Sequence, residues 1–496
     1  MRTKKAGVKE MRAVLLVLLL SLSASALRPT RKLVGLRAPP LPAGTEVAKP
    51  QWFQQKLDHF SESDTRTWQQ RFFSNRTFWE PESGPVFLML GGEGPANPAW
   101  LATDTDIMRN AARFGALVFL LEHRYYGESH PTPDASLSNL AYLSSRQALR
   151  DVVSFKQHIV DEFSLTDKNV WISFGGSYSG ALSGWLRMYY PDTVAGAVAT
   201  SGPVQATVDF YLYLEVVARS LATPPNGAEC VEAIKNATYE LDAMLWDKTM
   251  WGEVEKMFHV SPPLQSEDDV VLLAETLAGN FMDVVQYNRD NTAFEGRPNN
   301  ITITDLCDVM ANTSLGSPLA RYTAVNQLMT GGEPVDANFT AQVEFMRHTS
   351  WDSPAVSGGA RQWVYQTCTE FGYYQTTDSA YQPFGDLVTL ASQLQTCSAV
   401  YGLTPDQVYT AVAATNKHYG GRDGIPSNAT NIVFPNGSID PWHALGVLES
   451  PAASLNAVFI NGTAHCANMY PPSPIDLPDL VLARKIITAN IQIWLV

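Results

Sequence analysis

A serine hydroxyl is a poor nucleophile until a neighbouring base takes its proton. A serine suited to catalysis therefore stands on a tight turn, with small residues around it and a histidine elsewhere in the chain. Phe174-Gly175-Gly176-Ser177-Tyr178-Ser179-Gly180 has this form: an apolar run, two glycines, a serine, then small residues. A strand-to-helix turn of this kind lifts the hydroxyl clear and turns nearby amides toward a developing oxyanion. The match departs from the G-x-S-x-G spacing, because Ser179 stands where a glycine belongs and Gly180 follows it. Asp440 and His465 come downstream in the order serine, acid, histidine, each a few residues beyond an apolar run. Ser177 as nucleophile, His465 as base and Asp440 as the carboxylate orienting that base form the expected constellation, and its chemistry is acyl transfer.

Other assignments are weaker. His443 is only three residues after Asp440 and reads as a surface or packing residue, and His123 precedes the serine, against the usual order. Asp423 sits in a glycine-rich loop with no apolar run before it. An oxyanion pocket is expected from the backbone N–H of Tyr178 and one from the Gly91-Gly92-Glu93-Gly94 loop, with Gly92 as the donor. Glu93 in that loop is a candidate for holding a substrate's amino group, and a structural loop carboxylate is the alternative.

These groups need strands to carry them. Pro85–Leu90, Ala116–Leu121, Asn169–Phe174, Gly196–Thr200, Asn431–Phe434 and Leu455–Ile460 are short apolar runs, the first three separated by helical patterns. Continuous apolar runs of this length predict strands buried on both faces, as in a mostly parallel sheet with helices on both sides. Loops at the ends of these strands then bring serine, acid and histidine to one sheet edge. Leu143–Phe163 and Asp479–Trp494 read as helices. From about 205 to 380 strand signals vanish and helical periodicity dominates, over Asp209–Ala222, Cys230–Met250 and Val270–Tyr287. The expected division is a first part of the sheet domain over 51–204, an inserted helical cap over 205–380, and a second part of the sheet domain over 381–496.

The chain has 496 residues, 45% of them hydrophobic, with a formal net charge of −14. This suits a large folded enzyme and argues against disorder and nucleic-acid binding. Arg2, Lys4, Lys5, Lys9 and Arg12 precede an apolar run from Ala13 to Leu20, and Ala24-Ser25-Ala26 supplies a cleavage site. A signal peptide over 1–26 follows, then a proline-rich, basic stretch over 27–50 that reads as an extended N-terminus or propeptide. No stable membrane span is expected, since no apolar run is long enough. Sequons at Asn75, Asn236, Asn300, Asn312, Asn338, Asn428, Asn436 and Asn461 support passage through the secretory pathway. Cys230, Cys307, Cys368, Cys397 and Cys466 fit two disulfides and one free thiol, with connectivity left open. No CxxC or HExxH spacing occurs, so neither a metal nor a cofactor is expected.

The chain resembles the serine carboxypeptidase S28 family, that of Pro-X carboxypeptidase and dipeptidyl peptidase II. The resemblance is carried by Gln55–Phe60, Glu122–Ser129, Gly175–Gly180, Trp363–Glu370, Asn436–Trp442 and Ala464–Cys466. The nucleophile turn, the Gly91–Pro95 loop and His465–Met469 look most similar to the thymus-specific serine protease branch. The resemblance implies an α/β-hydrolase fold with an inserted helical cap domain, and a triad of Ser177, Asp440 and His465. It also implies the pairings Cys230–Cys307 and Cys368–Cys397, leaving Cys466 beside the base. The expected activity is that of a serine-type exopeptidase on peptides in the endosomal, lysosomal or secretory pathway, with a homodimer as an assembly to test. An esterase of the same fold and an inactive hydrolase-fold binding module are the alternatives. Proline preference does not follow, since Ser179 replaces a glycine of the prolyl members beside the nucleophile.

Overall fold

The computed structural model describes residues 36–289 and 301–496. The expected signal peptide, the first residues of the 27–50 stretch and Asn300 lie outside them.

Each apolar run forms a strand. β3 (Val86–Leu90), β4 (Leu117–Leu121), β5 (Trp171–Gly176), β6 (Gly196–Thr200), β9 (Ile432–Gly437) and β10 (Leu455–Ile460) match the expected positions closely. Two more strands precede them, β1 (Gln51–Lys56) and β2 (Thr67–Asn75), where alternating glutamines and aromatics left a weaker pattern. The main sheet has the order β1-β2-β4-β3-β5-β6-β9-β10. β1 and β2 pair antiparallel, as do β2 and β4, and all later neighbours pair parallel.

Successive side chains of a strand point to opposite faces, and here each face meets its own helices. Val86, Leu88 and Leu90 join Phe155 and Ile159 of α2 (Ser145–Phe163) and Leu182 and Trp185 of α3 (Tyr178–Tyr189) in one core. Phe87 and Met89 face the other core, with Ile107 and Met108 of α1 (Asp106–Phe114) and Ile487 and Trp494 of the C-terminal helix (Pro478–Trp494). Cover on both sides is why these strands contain no polar alternation.

Among the described residues, the chain between β6 and β9 adds no strand to the main sheet. It supplies helices, several opened by reciprocal caps: Ser266 with Asp269, Thr302 with Asp305, and Thr404 with Gln407. A two-stranded parallel pair, β7 (Thr207–Asp209) with β8 (Gly372–Tyr374), joins its start to a point well before its end. Residues 381–430, placed above with the second part of the sheet domain, hold helices Leu390–Tyr401 and Pro405–Tyr419, and the chain returns to the sheet only at Ile432. Disulfides join Cys230 to Cys307 and Cys368 to Cys397, and Cys466 is a buried free thiol.

The segment from Leu36 is docked rather than loose. Arg37 is buried, its guanidinium lies 4.1 Å over the Tyr287 ring, and its carbonyl accepts a hydrogen bond from the Tyr470 hydroxyl at 2.6 Å.

Candidate active site

β5 ends at Gly176 and α3 begins at Tyr178, so Ser177 alone makes the turn. Its φ of 61° and ψ of −132° lie outside the ordinary regions for a side-chain-bearing residue, a strain of about 1–3 kcal/mol that the surroundings must hold. Glycine is required on both flanks. A Cβ on Gly175 would stand 1.9 Å from the Ser179 carbonyl oxygen, and one on Gly180 would stand 2.2 Å from that of Thr200. Ser179, the departure from the usual spacing, fits because its hydroxyl folds back on the turn. It donates to the Gly176 carbonyl at 2.9 Å and accepts from the Gly176 N–H at 3.1 Å.

The other two groups stand on neighbouring strand ends. Asp440 follows β9, is fully buried, and accepts from the Trp442 N–H at 2.9 Å, capping the short helix Pro441–Leu445. His465 follows β10 and is 2% exposed, with Nδ1 2.9 Å from Asp440 Oδ1. Burial works against a charged imidazole, yet the Asp440 carboxylate, with Cys466 acting in the same sense, holds His465 well above the usual histidine range. The His465 N–H donates to the carbonyl of Gln286, on the last turn of helix Glu267–Gln286. Gln286 Oε1 accepts from the Tyr213 hydroxyl at 2.6 Å and from Trp442 Nε1 at 3.1 Å. Gln286 thus ties the helical segment to His465 and to Trp442, two residues beyond Asp440, and its polar side chain within an ordinary helical pattern left no mark in the sequence.

The Gly91–Pro95 loop lies beside this edge, with the Cβ position of Gly92 3.4 Å from Ser179 Cβ. Tyr178 is the first residue of α3, so its N–H has no acceptor within the helix. Glu93 is 7% exposed, and its carboxylate lies within hydrogen-bonding reach of Ser177 and in the field of His465. Burial pushes its pKa up, favouring the protonated carboxyl. Glu122, at the end of β4, clamps the same loop. Its fully buried carboxylate accepts from Arg71 and Ser129, and from the Ala96 N–H at 3.0 Å. Glu122 lies in a stretch that carried the family resemblance, although its role could not be read from its neighbours. A run of rings spans the distance from the Ser177 turn to His465: Tyr178 to Phe371 at 5.2 Å, Phe371 to Tyr373 at 5.6 Å, Tyr373 to Trp442 at 5.3 Å, and Trp442 to His465 at 6.4 Å.

The set-aside histidines have other partners. His123 Nδ1 lies 2.7 Å from the Arg124 carbonyl and Nε2 3.1 Å from the Tyr178 hydroxyl, and burial lowers its pKa to about 4. His443 packs edge-on against Phe459, with Nδ1 on the Gly437 carbonyl. Asp423 lies beside Arg422 at the surface.

One expected glycan site is corrected. Asn436 is 2% exposed and its amide donates to the Phe434 and Val447 carbonyls, so a sugar has no room there. Asn236, Asn312, Asn428 and Asn461 are exposed, and Asn75 and Asn338 are partly so.

A mostly parallel sheet covered on both faces, with Ser177, Asp440 and His465 on the loops after β5, β9 and β10 at one sheet edge, is the architecture of an α/β-hydrolase. The chain belongs to the serine carboxypeptidase S28 family, whose family model matches residues 55–487. It is similar to a Caenorhabditis elegans protein named as a serine protease, 40% identical over 89% of this chain and 87% of that one. Thymus-specific serine protease of Mus musculus is 37% identical over 90% and 88%, and lysosomal Pro-X carboxypeptidase of Homo sapiens 28% over 98% and 97%. The chain is a serine peptidase and acts on peptides.

Proposed function

We propose that Ser177, His465 and Asp440 are the catalytic triad of an exopeptidase working in the lysosomal, endosomal or secreted setting. The observation that carries this reading is the buried 2.9 Å contact between His465 and Asp440 beside a strained serine turn on the same sheet edge. Ser177 Oγ attacks the scissile carbonyl and its proton passes to His465 Nε2, while the Asp440 carboxylate stabilises the imidazolium. The carbonyl oxygen takes up the negative charge and receives hydrogen bonds from the N–H groups of Tyr178 and Gly92. The tetrahedral intermediate collapses, the C–N bond breaks, and the leaving amine carries off the proton from His465. Water then attacks the acyl-enzyme, again giving its proton to His465, and releases the new carboxyl group with Ser177 restored.

Glu93 is the proposed partner of the substrate's amino group, its buried carboxylate lying beside the nucleophile. The helical segment between β6 and β9 acts as the cap, since Gln286 reaches the base from it. The compartment is supported by two disulfides, by the expected signal peptide and by a relative named as lysosomal.

The test is fluorophosphonate labelling of the wild-type protein and Ser177→Ala, together with mass-spectrometric mapping of cuts in a peptide library, half of it acetylated at the amino terminus. Labelling only in the wild type, with cuts confined to one chain end, is expected. Loss of cleavage in the acetylated half supports the role of Glu93. Cuts scattered through chain interiors would refute the exopeptidase, and a folded wild type that takes no label would refute the triad.

A further inference from the structure

The nucleophile turn rests on a chain of buried polar groups that runs from the sheet into the helical segment. Tyr178, whose N–H faces the oxyanion, is 2% exposed, and its hydroxyl is gripped from both sides. His123 Nε2 lies 3.1 Å from it on one side, and on the other Gln366 Nε2 donates to it at 3.1 Å. Gln366 closes helix Ala360–Gln366, and a π-helical turn, Thr367–Phe371, follows directly. Single π-helical turns inside helices are frequent at functional sites.

Every proton in the chain has one consistent direction. His123 is neutral, with its pKa lowered to about 4 by burial, and its Nδ1–H donates to the Arg124 carbonyl at 2.7 Å. Nε2 is then an acceptor and takes the Tyr178 hydroxyl proton. Tyr178 Oη in turn accepts from Gln366. The Gln366 carbonyl accepts from the Tyr126 hydroxyl at 2.7 Å, and its amide also donates to Glu370 Oε2 at 3.0 Å. Glu370 accepts from the Ser145 N–H at 3.0 Å and from its hydroxyl at 2.6 Å, and the Tyr419 hydroxyl reaches Ser145 Oγ at 2.9 Å. Gln366 and Ser145 are wholly buried and Glu370 is 8% exposed. Rings close the cage, with Trp363 5.6 Å and Phe371 5.2 Å from Tyr178.

A network this complete fixes one geometry, because a rotated member would strand a buried donor or acceptor. The group it fixes is the residue directly after the nucleophile. We propose that Gln366 and Glu370 are positioning residues for the oxyanion pocket, holding the Tyr178 ring and through it the backbone N–H that meets the carbonyl oxygen. The inference rests on Ser177 as nucleophile. It makes the helical segment a working part of the pocket rather than only a cover, since both residues come from it.

Four variants of the full-length protein test this: Tyr178→Phe, Gln366→Leu, Glu370→Gln and the double variant Tyr178→Phe/Gln366→Leu. The readouts are the second-order fluorophosphonate labelling rate per titratable site, and kcat and KM on a library-derived peptide. Tyr178→Phe removes one oxygen and keeps the ring, so it carries the test even if Gln366→Leu does not fold. Tyr178→Phe and Gln366→Leu are each expected to slow labelling and lower kcat about tenfold with KM little changed, as a small misplacement of a pre-organised group does. Glu370→Gln, which keeps the shape, is expected to lose less. The double variant is expected to be no slower than the slower single one, because both changes release the same ring. A purely structural network would alter melting temperature but leave the rate per site at the wild-type value. That result, or rate losses that multiply in the double variant, would overturn the proposal. Loss of all labelling in the wild type would instead remove Ser177, so the two failures are distinguishable.

Discussion

At the scale of single residues, Asp440 and His465 show burial and pairing in opposition. Burial alone would keep the imidazole neutral, but the adjacent carboxylate raises its basicity well above the usual range. Asp440→Asn should therefore act in two ways. The acidic limb of the pH–rate profile should move to lower pH, because in the proposed triad the imidazole must be neutral to take the Ser177 proton and its folded pKa falls when the carboxylate is removed. The rate at the plateau should drop by about 10⁴, as the ring loses the tautomer that the acid selects. Labelling rates of both proteins across the pH range check the direction and the size together. Ser179 makes the complementary point, that a residue foreign to the usual motif is accommodated when its hydroxyl satisfies the backbone of the turn it occupies.

At the scale of elements, the loop after β4 is anchored to α2 by a buried ion pair. Arg124 Nε and Nη2 each donate to the Asp151 carboxylate at 2.6 Å, and His59 Nε2 lies 2.8 Å from the same group. Arg124 also donates to the carbonyls of Leu57 and Tyr142, so one guanidinium joins the first hairpin, the β4 loop and the entry to α2. Burial would raise the pKa of Asp151, but the Arg124 charge outweighs it and holds the carboxyl below its usual value. Asp151→Asn leaves a wholly buried guanidinium without its counter-charge, and is expected to cost about 3–5 kcal/mol. The urea midpoint should fall accordingly, while molecules still folded should label normally, since the pair does not touch the nucleophile turn.

At the scale of the whole molecule, a carboxyl buried against one face of the sheet couples folding to pH. On the face covered by α1 and the C-terminal helix, Asp106 is 5% exposed, and burial raises its pKa to about 7 against the pull of Arg484 and Arg109. A carboxyl with a raised folded pKa binds its proton more tightly folded than unfolded. Its contribution is therefore intact at or below about pH 4, the ordinary carboxylate range, and is lost as pH climbs toward 7. The fold should be more stable in mildly acidic than in neutral solution as far as this group is concerned. Asp106→Asn should remove that slope, gaining about 3–4 kcal/mol near pH 7 and little near pH 4. Thermal melts of both proteins at the two pH values measure it, and a parallel shift at both would exclude titration of Asp106 as the cause.

Local patterns in the chain were enough to place the doubly buried strands and the strand-to-helix turn at Ser177, because runs of apolar residues and glycines beside a serine reflect short-range constraints. Helical periodicity dominates the sequence from about 205 to 380, and helices 390–401 and 405–419 continue that pattern up to β9. Only the tertiary structure decided what depends on partners far apart in the chain. Asn436 carries a valid sequon yet is buried under the Val447 carbonyl, because burial is a property of packing and not of a tripeptide. His123, set aside as a base on chain order, meets the Tyr178 hydroxyl, and Glu370 meets Ser145 across 225 residues of chain. Such contacts leave no periodic trace, because each polar group answers to a single distant partner rather than to its sequence neighbours.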